Sequence, residues 1–263
     1  MLNNKEWLNE QVKQGKTLAQ VSKELNVTKR TVQNWEKKHQ LKLKRDTPNT
    51  RKNKFNENFF SVIDTEEKAY ILGFIMADGC IGSNRRTLDI KIAVKDIDIL
   101  HKINKATESI AEIKDRENGR YKTMSLCSKK MVADLEKWSV TRKKSATLKF
   151  PELKNVEMYR HFLRGIFDGD GHIGKRQCAL IVGSSTFFKS FMSFLDEQFS
   201  YKPWYSDHTN YFHLQFSRKD SWFIKWLYTD CSIYLDRKYK SFKDNWEAYR
   251  TKGTEVEDKK PLR

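Results

Sequence analysis

Two short stretches of the chain are versions of one another: Ile71-Leu72-Gly73-Phe74-Ile75-Met76-Ala77-Asp78-Gly79 and Leu163-Arg164-Gly165-Ile166-Phe167-Asp168-Gly169-Asp170-Gly171. Each reads as a helix with a small residue every fourth position, Gly73 and Ala77 in one, Gly165 and Gly169 in the other. Small residues four apart share a face and let two helix backbones approach closely. Helices packed in this way bring Asp78 and Asp170 together at their C-terminal ends. That placement is electrostatically poor, because each carboxylate meets the negative end of a helix dipole and the two repel. A divalent cation between them reverses both penalties. A local rule broken twice in the same manner points to a functional site.

The rest of the sequence from Asp64 onward repeats around these stretches. Asp64 with Glu67 makes a capping-box-like start for the first motif helix. Residues 88–94 alternate with period two and read as a strand, followed by a helix over 96–106, two strand candidates of which the second is 121–126, and a helix over 128–138. The second half follows the same order. Its motif helix lies near 158–168, with strands near Ile173 and 180–182, a helix over 187–198, a strand over 211–216 and a helix over 219–228. Asp78 and Asp170 lie 92 positions apart, Ser128-Lys129-Lys130 and Ser217-Arg218-Lys219 lie 89 apart, and Arg142-Lys143-Lys144 matches Asp236-Arg237-Lys238 loosely at 94. Offsets that drift so little imply one duplicated αββαββα unit with a pseudo-twofold axis. The expected division is a first repeat over 57–150, a second over 151–250 and a polar tail over 251–263.

The net charge is +17 with a pI of about 9.6, which favours a polyanionic partner, nucleic acid first. Residues 1–54 hold 14 Lys and Arg against 5 Asp and Glu, so more than half of the excess sits in about a fifth of the sequence. Residues 5–41 read as three short helices, with Thr28 capping the third. That helix places Val32 and Trp35 on one side and Lys29, Arg30, Gln33, Asn34 and Lys37 on the others. A helix, a tight turn and a basic polar helix make the helix-turn-helix pattern. A three-helix protein-contact module with a solvated charged face fits the same residues. The helix-turn-helix domain is expected over 1–44 and a basic linker over 45–56. Arg51 and Lys52 of that linker are candidates to lie along phosphates, and a plain flexible spacer is the other reading. The cysteines Cys80, Cys127, Cys178 and Cys231 form no C-x-x-C pair and read as reduced, partly buried thiols. No apolar run approaches about 18 residues, and Met1–Lys5 does not look like a signal peptide. The expectation is a soluble protein of the cytoplasm, in a bacterial or phage-infected cell and near the nucleoid, with no membrane partner.

The paired motifs resemble the signature of LAGLIDADG homing endonucleases in their single-chain form. The resemblance extends over 57–245 and includes Thr65-Glu66-Glu67-Lys68-Ala69-Tyr70, Lys144-Ser145-Ala146-Thr147-Leu148-Lys149-Phe150-Pro151 and Tyr234-Leu235-Asp236-Arg237-Lys238-Tyr239, which look like members carried in phage and bacterial introns. It implies an α+β fold in which the motif helices form the interface and the antiparallel sheets form a saddle in the DNA major groove. It implies that Asp78 and Asp170 bind Mg²⁺ or Mn²⁺, and that a monomer cuts double-stranded DNA across the minor groove, leaving short 3′ overhangs. Whether the backbone at Ala77 adds a metal ligand is left open.

Phosphodiester hydrolysis needs a positioned water, a stabilised phosphorane and a neutralised leaving oxygen, all of which carboxylate-held metals supply. A lysine near each metal can steady charge. Lys238 matches the family's basic position, and Lys144 is its counterpart; each follows its motif acid at a similar interval, 66 and 68 residues. Ordinary phosphate contacts are the alternative role. Met76 stands where the family word has its first Asp, whereas Asp168 keeps it and reads as a helix-end group. His172 follows the second motif and could touch a phosphate; a solvent-facing or hydrogen-bonded imidazole is the other reading. Base-reading candidates on the strands are Asp89, Lys91, Tyr121, Thr123, Ser125, Tyr211, His213 and Gln215, with Ser83, Arg85, Lys175 and Gln177 after the motif helices; each could equally be a solvated sheet residue. Two other functions fit the same fold: a DNA-binding regulator without cleavage, and a maturase acting on its own intron RNA.

Overall fold

The computed structural model describes residues 4–44 and 54–247; the remainder of the expected linker, with Arg51 and Lys52, and the expected tail over 251–263 lie outside them. The protein divides into two units, Met1–Lys52 and Asn53–Arg263.

The first unit holds three helices, α1 (Lys5–Lys13), α2 (Leu18–Glu24) and α3 (Lys29–His39). A polar side chain caps the start of each. Asn4 accepts from Glu6 N, Thr17 forms a reciprocal capping box with Gln20, and Thr28 accepts from Thr31 N. Leu8, Leu18, Val21, Val32 and Leu43 form the small core. Buried Glu36 accepts the backbone N–H of Leu43 at 2.7 Å, which fixes the segment that follows α3. Lys29, Arg30, Gln33, Asn34 and Lys37 all lie on the exposed side of α3.

The second unit runs α4 (Glu66–Asp78), β1 (Gly79–Ile81), β2 (Thr87–Ala93), α5 (Asp98–Ala106), β3 (Lys114–Arg116), β4 (Tyr121–Cys127) and α6 (Lys129–Lys137). It then runs α7 (Val156–Asp170), β5 (Gly171–Ile173), β6 (Cys178–Val182), α8 (Ser185–Phe199), β7 (Trp204–His208), β8 (Tyr211–Phe216), α9 (Ser221–Tyr228) and α10 (Asp236–Phe242). Two antiparallel sheets of identical order result, β1-β2-β4-β3 and β5-β6-β8-β7. The architecture is α+β, a duplicated αββαββα unit. Along β2, Leu88, Ile90 and Ile92 are buried while Lys91 between them is exposed, so one face of the sheet meets the core and the other meets solvent.

The motif helices α4 and α7 lie against each other with their backbones in contact. A methyl group on Gly73 would sit 2.1 Å from Phe162 O, and one on Gly165 would sit 2.0 Å from Tyr70 O. Residues Ala69 to Met76 of α4 are buried in succession, so this helix is surrounded. Its N-cap is Thr65, which accepts from Lys68 N; the expected cap Asp64 lies one residue outside and pairs instead with the Lys68 ammonium at 2.6 Å. The expected box fails because Glu67 occupies the second turn position, not the third, once Thr65 is the cap.

A polar network crosses the interface. Arg164 of α7 is fully buried and donates to Glu66 of α4 (2.6 Å), to Leu227 O and to Ile233 O (2.9 Å each). Its Nη2 also faces His161 Nδ1 at 3.0 Å, and His161 Nε2 lies 3.0 Å from Glu157. A guanidinium can only donate, so Nδ1 accepts and the ring is neutral with its proton on Nε2. Burial and then Arg164 push the His161 pKa down to about 4. A depressed histidine pKa contributes stability that is complete above about pH 6.5 and is lost as pH falls through 4. Urea unfolding at pH 7 and pH 4 is therefore expected to show a loss on the order of 2–3 kcal/mol that His161→Gln does not share.

Candidate functional site

Each motif helix delivers its last acid to the surface. Asp78 ends α4 and Asp170 ends α7, and Gly79 and Gly171 leave both helices in extended conformation to start β1 and β5. Both carboxylates are exposed to solvent. The two ends adjoin one another: a methyl group on Gly169 would lie 2.2 Å from Ala77 Cβ and 3.5 Å from Asp78 Oδ2. Burial of its surroundings raises the Asp78 pKa. Burial, and then the charge of Asp78, raise Asp170 to about 6. Desolvation thus leads at both acids, and at Asp170 the like charge of Asp78 adds to it.

The lysines relieve part of it. Lys238 is buried, and its ammonium donates to Phe167 O (2.7 Å), Asp168 O (2.6 Å) and Gly171 O (2.6 Å) at the end of α7. Lys144 is half-buried and donates to Ala77 O (3.1 Å) and Gly79 O (2.6 Å) at the end of α4. Each ammonium therefore closes the last turn of its helix and sets a cation on the negative end of the dipole. Desolvation lowers both lysine pKa values. All three donors of Lys238 are committed to backbone, whereas Lys144 uses two of its three. Lys238→Met is expected to cost about 2–4 kcal/mol of folding stability by removing a cation and its hydrogen bonds from the end of α7, and Lys144→Met about 1–2 kcal/mol at the end of α4. Urea titration of the two variants measures the difference.

Asp168 is separate from the acid pair. It is buried, and its carboxylate accepts from Tyr70 (2.7 Å), Tyr228 (2.6 Å) and Leu235 N (2.7 Å). Tyr70 belongs to α4, so this group ties the halves together. The equivalent place in α4 is filled by buried Met76.

The donor set suits a hard cation in part. Asp78 and Asp170 offer oxygens at a solvent edge where positive charge is favoured, but among the described residues no three His, Cys, Asp or Glu side chains could hold a metal together. Water or phosphate oxygens would complete the shell. The carbonyl of Ala77 already accepts from Lys144.

The strand candidates fall on the outward faces. Cross-strand partners share a face. On the first sheet Asp89 faces Ser125, Lys91 faces Thr123 and Ala93 faces Tyr121. Asp89 accepts from Ser125 (2.5 Å) and Thr87 (3.1 Å); Lys91 pairs with Glu117 and lies over the Tyr121 ring at 4.3 Å. On the second, Ala179 faces Gln215 and Ile181 faces His213, while β7 sets His208 against Tyr211. Gln215 donates to Gln177. Ser83, Lys175 and His172 are exposed. Arg85 forms a bidentate pair with Glu136 at 2.8 and 3.0 Å, which engages its guanidinium within the fold. Sequence reasoning missed Trp204, Ser206 and His208, because the edge strand β7 is open on both sides and shows no alternation of polarity. It also missed Arg164 and Glu66, whose charges lie inside an interface.

Among the described residues no helix is long and apolar enough to cross a membrane. No protein-family model matches the sequence, and no curated protein matches it either. Solved structures similar to it include full-length DUF199/WhiA from Thermatoga maritima, at 15% identity and a TM-score of 0.46 over 72% of this protein and 66% of that one. They include the I-SmaMI LAGLIDADG homing endonuclease bound to cleaved DNA, at 12% identity and 0.45 over 66% and 86%. The LAGLIDADG meganuclease I-AabMI bound to uncleaved DNA is similar at 14% identity and 0.46 over 66% and 87%. The match thus spans just under two thirds of the length of full-length WhiA.

Proposed function

We propose that this protein is a metal-dependent endonuclease that cuts double-stranded DNA at a long, asymmetric site, as a monomer. The observation that carries the reading is the placement of Asp78 and Asp170, two exposed carboxylates held at adjoining helix ends where each is harder to ionise than an ordinary aspartate. Structural residues are seldom arranged at such cost without a compensating ligand. Asp78 and Asp170 would hold Mg²⁺ or Mn²⁺, which supplies Lewis-acid stabilisation of the phosphorane and a more acidic bound water. The protein's own groups act around it. Lys144 and Lys238 fix the ends of α4 and α7 and so set the separation of the acids. The remaining donor of Lys144 is available to a phosphate oxygen or to the attacking water. The outward faces of the two sheets orient the duplex, and their unlike residues call for unlike half-sites. The exposed cations and amides of α3 extend the contact in the manner of a helix-turn-helix.

A second reading, a DNA-binding regulator on the same fold, is favoured by two features. The Lys238 ammonium is fully committed to carbonyls, and the acids make only a two-member donor set. Incubating the purified protein with a randomised duplex library, in Mg²⁺ or in EDTA, separates the two. Enrichment of one sequence among cut molecules in Mg²⁺ alone supports the nuclease. Selection of bound but intact duplex under Mg²⁺ and Mn²⁺ supports the regulator. Failure to retain any duplex, with retention of the intron-bearing precursor RNA, supports a maturase.

A further inference from the structure

The duplication allows the two outward faces to be compared position by position. Gly79 and Gly171 both follow a motif acid, and the strand registers carry the equivalence across each sheet. Asp89 then corresponds to Ala179 and Lys91 to Ile181. On the edge strands, Lys114 opposite Thr123 corresponds to Ser206 opposite His213, and Arg116 opposite Tyr121 to His208 opposite Tyr211. Four charged residues on the first face are thus four uncharged or imidazole residues on the second. The second face also exposes large apolar side chains. Ile181 is 50% exposed and Trp204, opposite Gln215, is 59% exposed. The two flank β8 on this face, Ile181 in the row of His213 and Trp204 in the row of Gln215, and exposed apolar groups of this size on one open face mark a contact surface.

The occupant follows from position and charge. Asp170 leads straight into β5 of this sheet, and one cleft is lined by Asp170, Ala77, Ser145 and Ile181, so the face continues from Asp170. The turn between β5 and β6 carries exposed Lys175 and Arg176, cations suited to phosphates at the rim of an uncharged floor. In the major groove the apolar feature that a base edge presents is the C5-methyl group of thymine. We infer that the second sheet recognises thymine methyl groups in its half-site through Ile181 and Trp204, while the first sheet reads its half-site by charge and hydrogen bonds. This rests on the proposed DNA-binding role of the sheets.

The test uses the full-length protein and the duplex recovered by library selection. Each half-site is remade with deoxyuridine for thymidine, which keeps base pairing and removes only the methyl group, and affinity is measured by fluorescence anisotropy in Ca²⁺. Substitution in one half-site is expected to weaken binding roughly 3- to 5-fold for each contacted thymine, and substitution in the other to leave it unchanged. The penalty is expected to vanish in Ile181→Ser/Trp204→Ser, whose sites are exposed enough for the fold to survive, and to persist in Lys91→Ala. Equal affinity for thymine and uracil duplexes in both half-sites, or a selected duplex without thymine in either half, overturns the inference while DNA recognition stands. Absence of any selected duplex overturns the DNA-binding role and the inference together.

Discussion

Asp170→Asn is expected to abolish metal-dependent cleavage, by on the order of 10³-fold or more, and to make the metal-free protein more stable. The two effects have one origin. The carboxylate is held at about pKa 6 by burial of its surroundings and by the charge of Asp78. An aspartate with a raised folded-state pKa contributes stability below the usual aspartate range, and that stability is lost as pH rises through 6. At neutral pH the wild-type protein therefore carries a penalty that asparagine lacks. The group is exposed, so screening holds the gain to about 1 kcal/mol. Thermal or urea unfolding should place the variant above wild type at pH 7.5, with the gap closing toward pH 4. Mg²⁺ should raise the stability of wild type and leave the variant unmoved, because only an ion bound to the folded state stabilises it. A variant that still cuts, or that is less stable than wild type at pH 7.5, removes the basis of the nuclease reading.

Gly165→Ala is expected to cost more than about 3 kcal/mol, enough to leave much of the protein unfolded at 37 °C. The added carbon would lie 2.0 Å from Tyr70 O and 2.8 Å from Phe74 N. Both obstacles are backbone of α4, so no rotamer change relieves them. The helices must part, and the acid pair at their ends must part with them. Gly73→Ala meets Phe162 O at 2.1 Å and should behave alike. Gly119, by contrast, has open space around it and lies far from the motif helices in sequence; its left-handed φ of 83° makes alanine there a modest local strain only. Circular dichroism across a urea gradient ranks the three.

What could be read from the sequence beforehand depended on how local the physics was. The spacing of Gly73, Ala77, Gly165 and Gly169 is a short-range pattern with a direct steric meaning, and the adjoining ends of α4 and α7 follow from it. Thr28 as a cap and Leu88–Ile92 as a half-buried strand are equally local. The edge strand Trp204–His208 escaped because it is exposed on both faces, so hydrophobic alternation never develops. Helix α10 escaped because it is only seven residues long, too short to show a period; it forms because buried Phe242 and Lys238 anchor it, Lys238 on the carbonyls at the end of α7. Least legible was the purpose of individual charges. Lys144 and Lys238 stood out as neighbours of the acids, but their hydrogen bonds to helix-end carbonyls join residues about 70 positions apart. Arg85 looked available for a base edge, yet Glu136 stands beside it.

The contrast between Met76 and Asp168 bears on why both repeats occupy one polypeptide. Were two copies of the first repeat to assemble, Tyr70 would find methionine where it now finds a carboxylate. Were two copies of the second to assemble, two buried aspartates and two buried guanidinium groups would share one seam without Glu66 to answer them. Neither half is a fit mate for its own kind. Severed between residues 150 and 155, the pieces should reunite as an obligate heterodimer, and selection on either repeat is thereby tied to the other.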